Sequence, residues 1–249
     1  MTWSIVTHDP VTGAFAVAVA TRAFAVGASC PFVRAGVGAV STQSMTNRYL
    51  GPAILDGLAR GLDPASAIDG ALAGDAGSGL RQVHAVDRHG RTAAWTGRNC
   101  VEWCGSVAGG LVAGGAVAGG GVSVAGNMLA GQAVIAETLT SFLAEERLPL
   151  PERLMRAMLA GQEAGGDRRG RQSAAMRLIT TEDFPDLDLR VDDHRDPLAE
   201  LDRLLGVWRE QAEPRLAAAP RRDNPAGFTD LGAIEAGWRV RGLDLQFRR

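Results

Sequence analysis

A threonine at position 2 begins a short β-rich run, TWSIVT, that ends at Thr7. Methionine aminopeptidase generally removes Met1 when a small residue follows, so we expect the mature chain to begin with Thr2. A terminal threonine combines a hydroxyl nucleophile with an α-amine of pKa about 8, and that amine can accept the hydroxyl proton. The sequence therefore predicts that Thr2 attacks a carbonyl group. The other interpretation is a β-branched strand residue with no chemical function.

Three amide side chains stand at the junctions between predicted strands and helices. Gln43 and Asn47 lie in the segment 41–47, and Asn127 lies just ahead of a later helix. Amides beside the N–H groups of a helix start can bind the oxyanion that develops when a carbonyl is attacked. We therefore predict that these three residues donate to the oxyanion. The alternative is that Asn127 only caps its helix, as Ser44 or Thr46 would cap the earlier one.

The segment 164–173 is an unusual arginine-rich loop between a predicted helix and a predicted strand. Its charged residues and one arginine near the second strand are the predicted substrate-binding residues: Asp167, Arg168, Arg169, Arg171 and Arg22. Arginines spaced in this way can bind a carboxylate through paired N–H groups. The alternative is an internal ion-pair cluster anchored by Asp167, and the sequence leaves both open.

Several other classes of chemistry lack their residues. All 26 basic side chains are arginine, so a lysine Schiff base and a Walker-type phosphate loop are excluded. The three cysteines have no CxxC spacing, which is typical of a reducing cytoplasm rather than of a disulfide framework or a zinc ribbon. The acidic segment 186–194 does not match the spacing of a calcium loop. We predict no metal and no cofactor.

Charge and hydropathy limit the partners. With 26 basic and 28 acidic residues the net charge is −2, which argues against nucleic acid as the main partner. Residues 103–136 carry no charge, but they are mostly glycine, alanine and valine, and we interpret them as buried strands rather than a membrane span. The N-terminus is not typical of a signal peptide. The sequence therefore predicts a cytoplasmic homo-oligomer that acts on a small molecule.

The elements follow in blocks. Strands are predicted at 2–7, 14–21, 36–42, 80–86, 91–96, within 106–125 and at 174–180, and helices at 46–60, from 63, at 128–143, 151–164 and 197–211. Hairpin-joined strands separated by helix pairs indicate antiparallel sheets with helices outside, an α+β fold. Residues 182–195 look like a loop. We place a domain at 1–211 and a Pro/Arg-rich C-terminal extension at 212–249.

Taken together, these segments resemble a bacterial family that is catalogued as domain of unknown function 1028 and linked to the Ntn-hydrolase fold. The matching segments are 2–6, 19–22, 26–27, 35–40, 42–43, 47 with 51, 81–82, 126–129, 164–175 and 188–194. The resemblance covers about residues 2–210 and implies a four-layer αββα sandwich with two central antiparallel sheets. In the Ntn superfamily an N-terminal residue attacks an amide carbonyl, and Thr2 maps onto that position. Proteasome-like members have an aspartate after the second strand, where this chain has Thr21-Arg22, and a catalytic lysine that this chain lacks.

These observations lead to a ranked set of functions. The first is an N-terminal-nucleophile amidohydrolase that cleaves a non-peptide C–N bond of a small carboxylated molecule. The second is a non-catalytic ligand-binding protein on the same fold. The third is an enzyme with another nucleophile, such as Cys30 or Thr42.

Overall fold

Runs of small and β-branched residues form ten strands in the part of the chain that the structure describes, residues 2–111 and 117–245 of a computed structural model. The strands are β1 Thr2–His8, β2 Phe15–Thr21, β3 Pro31–Arg34, β4 Gly38–Ser44, β5 Arg81–Asp87, β6 Thr92–Thr96, β7 Gly105–Leu111, β8 Val117–Asn127, β9 Ser173–Ile179 and β10 Leu187–Val191. They form a six-stranded sheet in the order β10-β9-β2-β1-β8-β7 and a four-stranded sheet in the order β3-β4-β5-β6. The predicted α+β class with two antiparallel sheets is confirmed.

The N-terminal hairpin places Thr2 in the interior of the larger sheet. β1 pairs with β2 from Thr2 opposite Thr21 to His8 opposite Phe15. The turn between them reverses the chain through Gly13, whose φ of +73° suits glycine. On its other side β1 pairs with β8, so that Thr2 also lies opposite Asn127. The first residue of the β-rich run is therefore held between two neighbouring strands.

Each sheet packs against its own pair of helices. Helices α1 Leu50–Ala59 and α2 Pro64–Leu72 contact the four-stranded sheet. Helices α3 Ala133–Ala144 and α4 Leu150–Glu163 contact each other, α3 also contacts β7 and β8, and α4 also contacts β2. The predicted start of α2 is confirmed, because Asp63 accepts a hydrogen bond from the Ser66 amide at 3.0 Å.

The two sheets face each other, and their shared interior changes character along its length. One part is an apolar cluster of Val6, Phe15, Val17, Ala39, Val86 and Ile179. Toward the start of β1 the buried side chains become polar, among them Ser4, Gln43 and His84. Because buried polar groups are costly unless they are hydrogen-bonded, this polar half is the place to look for a site.

The C-terminal part forms a separate unit. The chain divides into one compact unit that ends at Leu201 and a second that begins at Asp202, whereas the sequence placed its boundary after residue 211. The division falls within α5 Pro197–Val207. The second unit then contains a π-helical turn, Trp208–Ala212, and helices α6 Glu213–Leu216 and α7 Leu231–Val240. Inside this unit the buried Trp238 indole donates to the Pro214 carbonyl at 3.3 Å.

Three expectations about elements were wrong. The predicted loop at 182–195 contains the edge strand β10. Two helices start later than predicted, α1 at residue 50 and α3 at residue 133. The residues ahead of them form turns and an isolated bridge between Leu129 and Asp167.

The predicted strands in the uncharged segment 103–136 can be compared with the structure over most of their length. Residues 105–111 and 117–127 are strands as predicted, and residues 112–116 lie outside the described residues. In the described ranges, none of the helices has both the length and the apolar character needed to span a bilayer.

Candidate functional site

Thr2 lies at one end of β1, on the face of the six-stranded sheet that turns toward the other sheet. Its side chain shares this face with Ser4 and Val6, because side chains alternate along a strand. Thr2 is 7% exposed, and its hydroxyl donates to the Thr21 hydroxyl at 3.2 Å. Thr21 and Asn127, the two residues opposite Thr2, therefore flank it on the same face. The structure thus surrounds the predicted nucleophile with short polar side chains.

A buried serine–histidine pair lies two residues further along β1. The Ser4 Oγ is 2.7 Å from the His84 Nε2, and the His84 Nδ1 is 3.0 Å from the Ser123 Oγ. All three side chains are buried, and burial lowers the pKa of His84 to about 3. A nucleophile beside a base has this spacing, so the direction of the proton decides what the pair can do.

The direction follows from the partners of Gln43. Its Nε2 donates to the backbone carbonyl of Ala125 at 3.2 Å, which leaves its Oε1 to accept the Ser4 hydroxyl at 2.8 Å. Because Ser4 has only one hydroxyl proton, the His84 Nε2–H must donate to Ser4. His84 is therefore a donor to Ser4, not its base, and the pair is a closed hydrogen-bonded network in the core.

The predicted oxyanion donors Gln43 and Asn47 have other partners. Gln43 is fully buried, and its Nε2 also donates to the Gln82 Oε1 at 2.8 Å, so both of its N–H groups are used. Asn47 lies beside Asp75, where its Nδ2 donates to the carboxylate at 2.8 Å. The Arg81 guanidinium and the Asn47 amide lower the pKa of Asp75 to about 2. This geometry gives both amides structural contacts and does not bring Asn47 to Thr2.

Asn127 stays next to Thr2. It is fully buried and its Nδ2 donates to the Gln82 Oε1 at 2.9 Å. Its Oδ1 has no hydrogen-bond partner among the residues that the structure describes. Of the three predicted amides, this one alone faces Thr2 across the strand pair.

Asp167 anchors the arginine-rich loop against the end of β2. Its carboxylate is 1% exposed and accepts the backbone N–H groups of Arg22 at 2.7 Å and Arg169 at 2.8 Å. The Arg169 guanidinium also reaches this carboxylate at 3.3 Å. For Asp167 and Arg169 the geometry therefore favours the internal ion-pair interpretation. Arg168 is exposed on the same loop.

The remaining predicted arginines line an open cleft of about 520 Å³ beside this anchor. Its lining residues are Arg22, Arg171, Gln172, Asp193, His194 and Arg195. The backbone N–H of Gln172 donates to the backbone carbonyl of Thr21 at 3.0 Å, so the cleft adjoins the end of β2, the strand that pairs with the start of β1. Arg171 also forms an ion pair with Asp196 at 2.8 Å. Three arginines and Asp193 line the cleft, and Asp196 offsets the charge of Arg171, so a net positive charge remains that suits an anion.

The rival nucleophiles are poorly placed. Cys30 is buried, and burial raises the pKa of its thiol to about 11, which disfavours the reactive thiolate. Thr42 is also buried, and its hydroxyl donates to the Asn47 carbonyl at 3.2 Å. Across residues 2–111 and 117–245, no group of three His, Cys, Asp or Glu side chains is arranged to hold a metal ion.

Sequence reasoning missed four residues of this region. Ser4, Gln82, His84 and Ser123 received no role, although each is buried between the sheets. One signal was available, because Thr2 and Ser4 on β1, and Gln82 and His84 on β5, put polar residues two apart. That spacing assigns them to one face of a strand.

The comparisons agree with this architecture. Residues 2–201 match the family of unknown function DUF1028. The crystal structure of a protein from Silicibacter pomeroyi that is assigned to DUF1028 is similar to this chain, with a TM-score of 0.81 and 29% sequence identity. The similarity covers 92% of this chain and 96% of that chain. No protein of curated function matches. Because the family match spans more than half of its residues, the chain belongs to DUF1028.

Proposed function

We propose that this protein is an N-terminal-nucleophile amidohydrolase that cleaves a non-peptide C–N bond of a small carboxylated molecule. One observation carries the proposal. Thr2 begins a central strand and points into the space between the sheets, with polar neighbours on both sides and an arginine-lined cleft adjoining its partner strand. Hydrolysis by a threonine needs this combination of nucleophile, base and charge complementarity.

The proposed reaction has two halves. With Met1 removed, the Thr2 hydroxyl attacks the amide carbon and its proton passes to the α-amine of the same residue. The tetrahedral intermediate then expels the leaving nitrogen, which takes that proton, and an ester to Thr2 remains. A water molecule attacks this ester, the α-amine again accepts the proton, and the carboxylic acid product leaves with the Thr2 hydroxyl restored.

The α-amine is the base because lysine, arginine and histidine side chains do not provide one at this site. There is no lysine in the sequence, and an arginine does not give up its proton at neutral pH. His84 donates a hydrogen bond to Ser4 and is fully buried in the core. An α-amine with its ordinary pKa is already suited to accept a proton near neutral pH.

The cleft supplies the substrate preference. Arg22, Arg171 and Arg195 line it against one carboxylate, Asp193. Arg195 has no hydrogen-bonded or ion-paired partner among the described residues, so its guanidinium is free to bind a carboxylate through paired N–H groups. We therefore place the substrate's carboxylate in the cleft and its scissile carbonyl at Thr2.

The layering supports the comparison with the Ntn superfamily. The contacts of α1 and α2 with one sheet, and of α3 and α4 with the other, are those expected of a four-layer αββα sandwich. In that arrangement the nucleophile lies at the start of a strand that faces the opposite sheet. We propose this finer fold assignment together with the reaction.

A non-catalytic ligand-binding protein is the second candidate. The observation in its favour is that the cleft is formed by residues other than Thr2, so an anion can bind there without any reaction. Retention of Met1 on the purified protein would support this candidate, because Thr2 would then lack a free amine.

The test combines intact mass and turnover. Mass spectrometry of the purified protein should give a chain that begins at Thr2, and a panel of small amides, ureides and cyclic imides should contain a hydrolysed member. Each carboxylated compound is matched with its methyl ester, which we expect to react at least about tenfold more slowly because it lacks the charge. A chain that keeps Met1 and still hydrolyses an amide would rule out the mechanism.

A further inference from the structure

The orientation of the Gln82 amide is fixed by the backbone. Its Nε2 donates to the Gly126 carbonyl at 2.8 Å and to the Gly105 carbonyl at 3.2 Å. Backbone carbonyls only accept hydrogen bonds, so the nitrogen must face them and Oε1 must face the other way. That oxygen accepts from Gln43 at 2.8 Å and from Asn127 at 2.9 Å.

This fixes the orientation of Asn127 as well. Since the Gln82 oxygen can only accept, the group that Asn127 directs toward it must be its Nδ2. The Asn127 Oδ1 is then left on the opposite side of the amide. It is buried and has no partner in the described part of the chain. A buried carbonyl oxygen is unfavourable without a donor, so its position calls for one.

The start of β1 lies beside Asn127. Asn127 is directly opposite Thr2 in the antiparallel pair, where Cα atoms lie about 4.5–5.5 Å apart. Both side chains lie on the face between the sheets. The Thr2 peptide N–H does not bond to this oxygen in the described structure, but removal of Met1 would turn it into an amine whose N–H groups can rotate toward Asn127.

We infer that Asn127 is a positioning residue whose Oδ1 accepts a hydrogen bond from the α-amine of the mature Thr2. The inference rests on the proposed removal of Met1. One N–H of the neutral amine is held by Asn127, so its lone pair is left to receive the proton of the Thr2 hydroxyl. Asn127 is fully buried and its Nδ2 donates to Gln82, so this role replaces that of an oxyanion donor.

The contact also favours the protonated amine. After proton transfer the ammonium group donates a stronger hydrogen bond to the same oxygen, because bonds to a charged donor are stronger. Without this acceptor, a positive charge beside buried residues would have less compensation. Removal of the Asn127 oxygen should therefore make the amine a weaker base.

Because the chain has no lysine, the basicity of the Thr2 α-amine can be measured without a substrate. The α-amine is the only primary amine in the mature chain, so acetic anhydride labels one amine, which mass spectrometry of the N-terminal peptide locates. Labelling needs the neutral amine, and the pH of half-maximal labelling reports its basicity. In Asn127→Ala we expect this midpoint to fall by about one pH unit.

Two further variants serve as controls. Ser123→Ala cuts the same buried network beyond His84, and it should leave the midpoint unchanged if the effect belongs to the Asn127 oxygen. Asn127→Asp keeps an oxygen on the side of Thr2, and its other oxygen can hold a proton and donate it to the Gln82 Oε1, so its midpoint should not fall below that of wild type. If Asn127→Ala does not fold, Asn127→Asp carries the test alone.

The outcomes separate this inference from the proposed function. A native Asn127→Ala protein with the wild-type midpoint, or an Asn127→Asp protein whose midpoint falls by about one pH unit, overturns the positioning role even if the enzyme is active. The expected shifts in a protein that begins at Thr2 but hydrolyses no amide support the role of Asn127 and count against the hydrolase. Retention of Met1 contradicts both.

Discussion

At the residue scale, two hydroxyl groups on β1 lie in opposite settings. Ser4 has the partner that a serine nucleophile needs, but the Gln43 and His84 contacts fix its proton in the wrong direction and no solvent reaches it. In the described part of the chain no histidine is hydrogen-bonded to Thr2, which in the proposed mechanism carries its own base. The type of residue and the distance to a neighbour are therefore insufficient, since proton direction and access decide which hydroxyl can react.

The first prediction concerns Thr2. Thr2→Ala should abolish amide turnover while its melting temperature stays within a few degrees of wild type, because the change removes one hydroxyl and one methyl group. Thr2→Ser should keep part of the activity, since the hydroxyl and the amine remain. The measurement is turnover of the best amide from the panel, together with thermal melting. An active Thr2→Ala protein would exclude Thr2 as the nucleophile.

The second prediction concerns the pH dependence of stability. His84 has a folded pKa of about 3 against 6.5 in the unfolded chain, so the unfolded state binds the extra proton between these values. The stability from neutral His84 is complete above pH 6.5 and is lost as the pH falls toward 3. Between pH 7.5 and 5 the loss from this one group is about 2 kcal/mol.

The matched variant for this prediction is His84→Gln, which can still donate to Ser4 and accept from Ser123. Urea unfolding at pH 7.5 and pH 5 should give a smaller loss of stability in the variant than in wild type. Comparison with wild type removes the contribution of His8, whose pKa is also lowered by burial. Equal losses in the two proteins would mean that His84 is not held neutral.

At the element scale, strand ends and loops bring the site together. β2 ends at Thr21, β8 ends at Asn127 and β9 begins at Ser173, and these ends meet beside the start of β1. The loop before β9 is fixed by Asp167, which accepts two backbone N–H groups from different segments. The arginines of that loop thus divide into Arg169, which pairs with the anchor, and Arg171, which lines the cleft.

The third prediction tests this division. Arg171→Ala or Arg195→Ala should weaken the binding of small carboxylates roughly 10- to 100-fold, which corresponds to the loss of one charged hydrogen-bond donor. Arg168→Ala is the matched control, because it removes an exposed arginine of the same loop that does not line the cleft. Thermal-shift titration with dicarboxylates measures the effect. An equal response in all three variants and wild type would leave the cleft without a role in binding.

At the scale of the whole molecule, the candidate site lies in the first compact unit, and the second unit is helical. All residues named in the proposed mechanism and the cleft lie before Asp202. The family match also ends at residue 201. A cytoplasmic location and a homo-oligomer remain predictions from the sequence.

The fourth prediction concerns the extension. Truncation after Gln211 keeps α5 complete and removes α6 and α7, which belong to the second unit. We expect the shortened protein to be soluble and to melt in one cooperative transition, because each of its sheets keeps its helices. Calorimetry and size-exclusion chromatography of both lengths measure this. Aggregation or loss of the transition would assign the extension to the core or to an oligomer interface.

Local features of the sequence determined a large part of this protein. Turn residues after His8 and the Asp63-Pro64 pair located the first hairpin and the start of α2, because these conformations depend on neighbouring residues alone. The lack of lysine likewise follows from composition and excludes a lysine as general base. Edge strands such as β10 escaped prediction because an acidic segment pairs only when a neighbouring strand is present.

Only the tertiary structure decided what the polar residues do. Asn127 and Gln82 are 45 positions apart, and Ser4 and His84 are 80 apart, so no local pattern pairs them. Strand register places them on facing sheets, and backbone carbonyls then fix which end of each amide donates. An amide has a donor and an acceptor of nearly equal size, so its role depends on its partners rather than on its type. That is why the sequence proposed Asn127 as an oxyanion donor, whereas in the structure its nitrogen donates to Gln82 and its oxygen has no partner among the described residues.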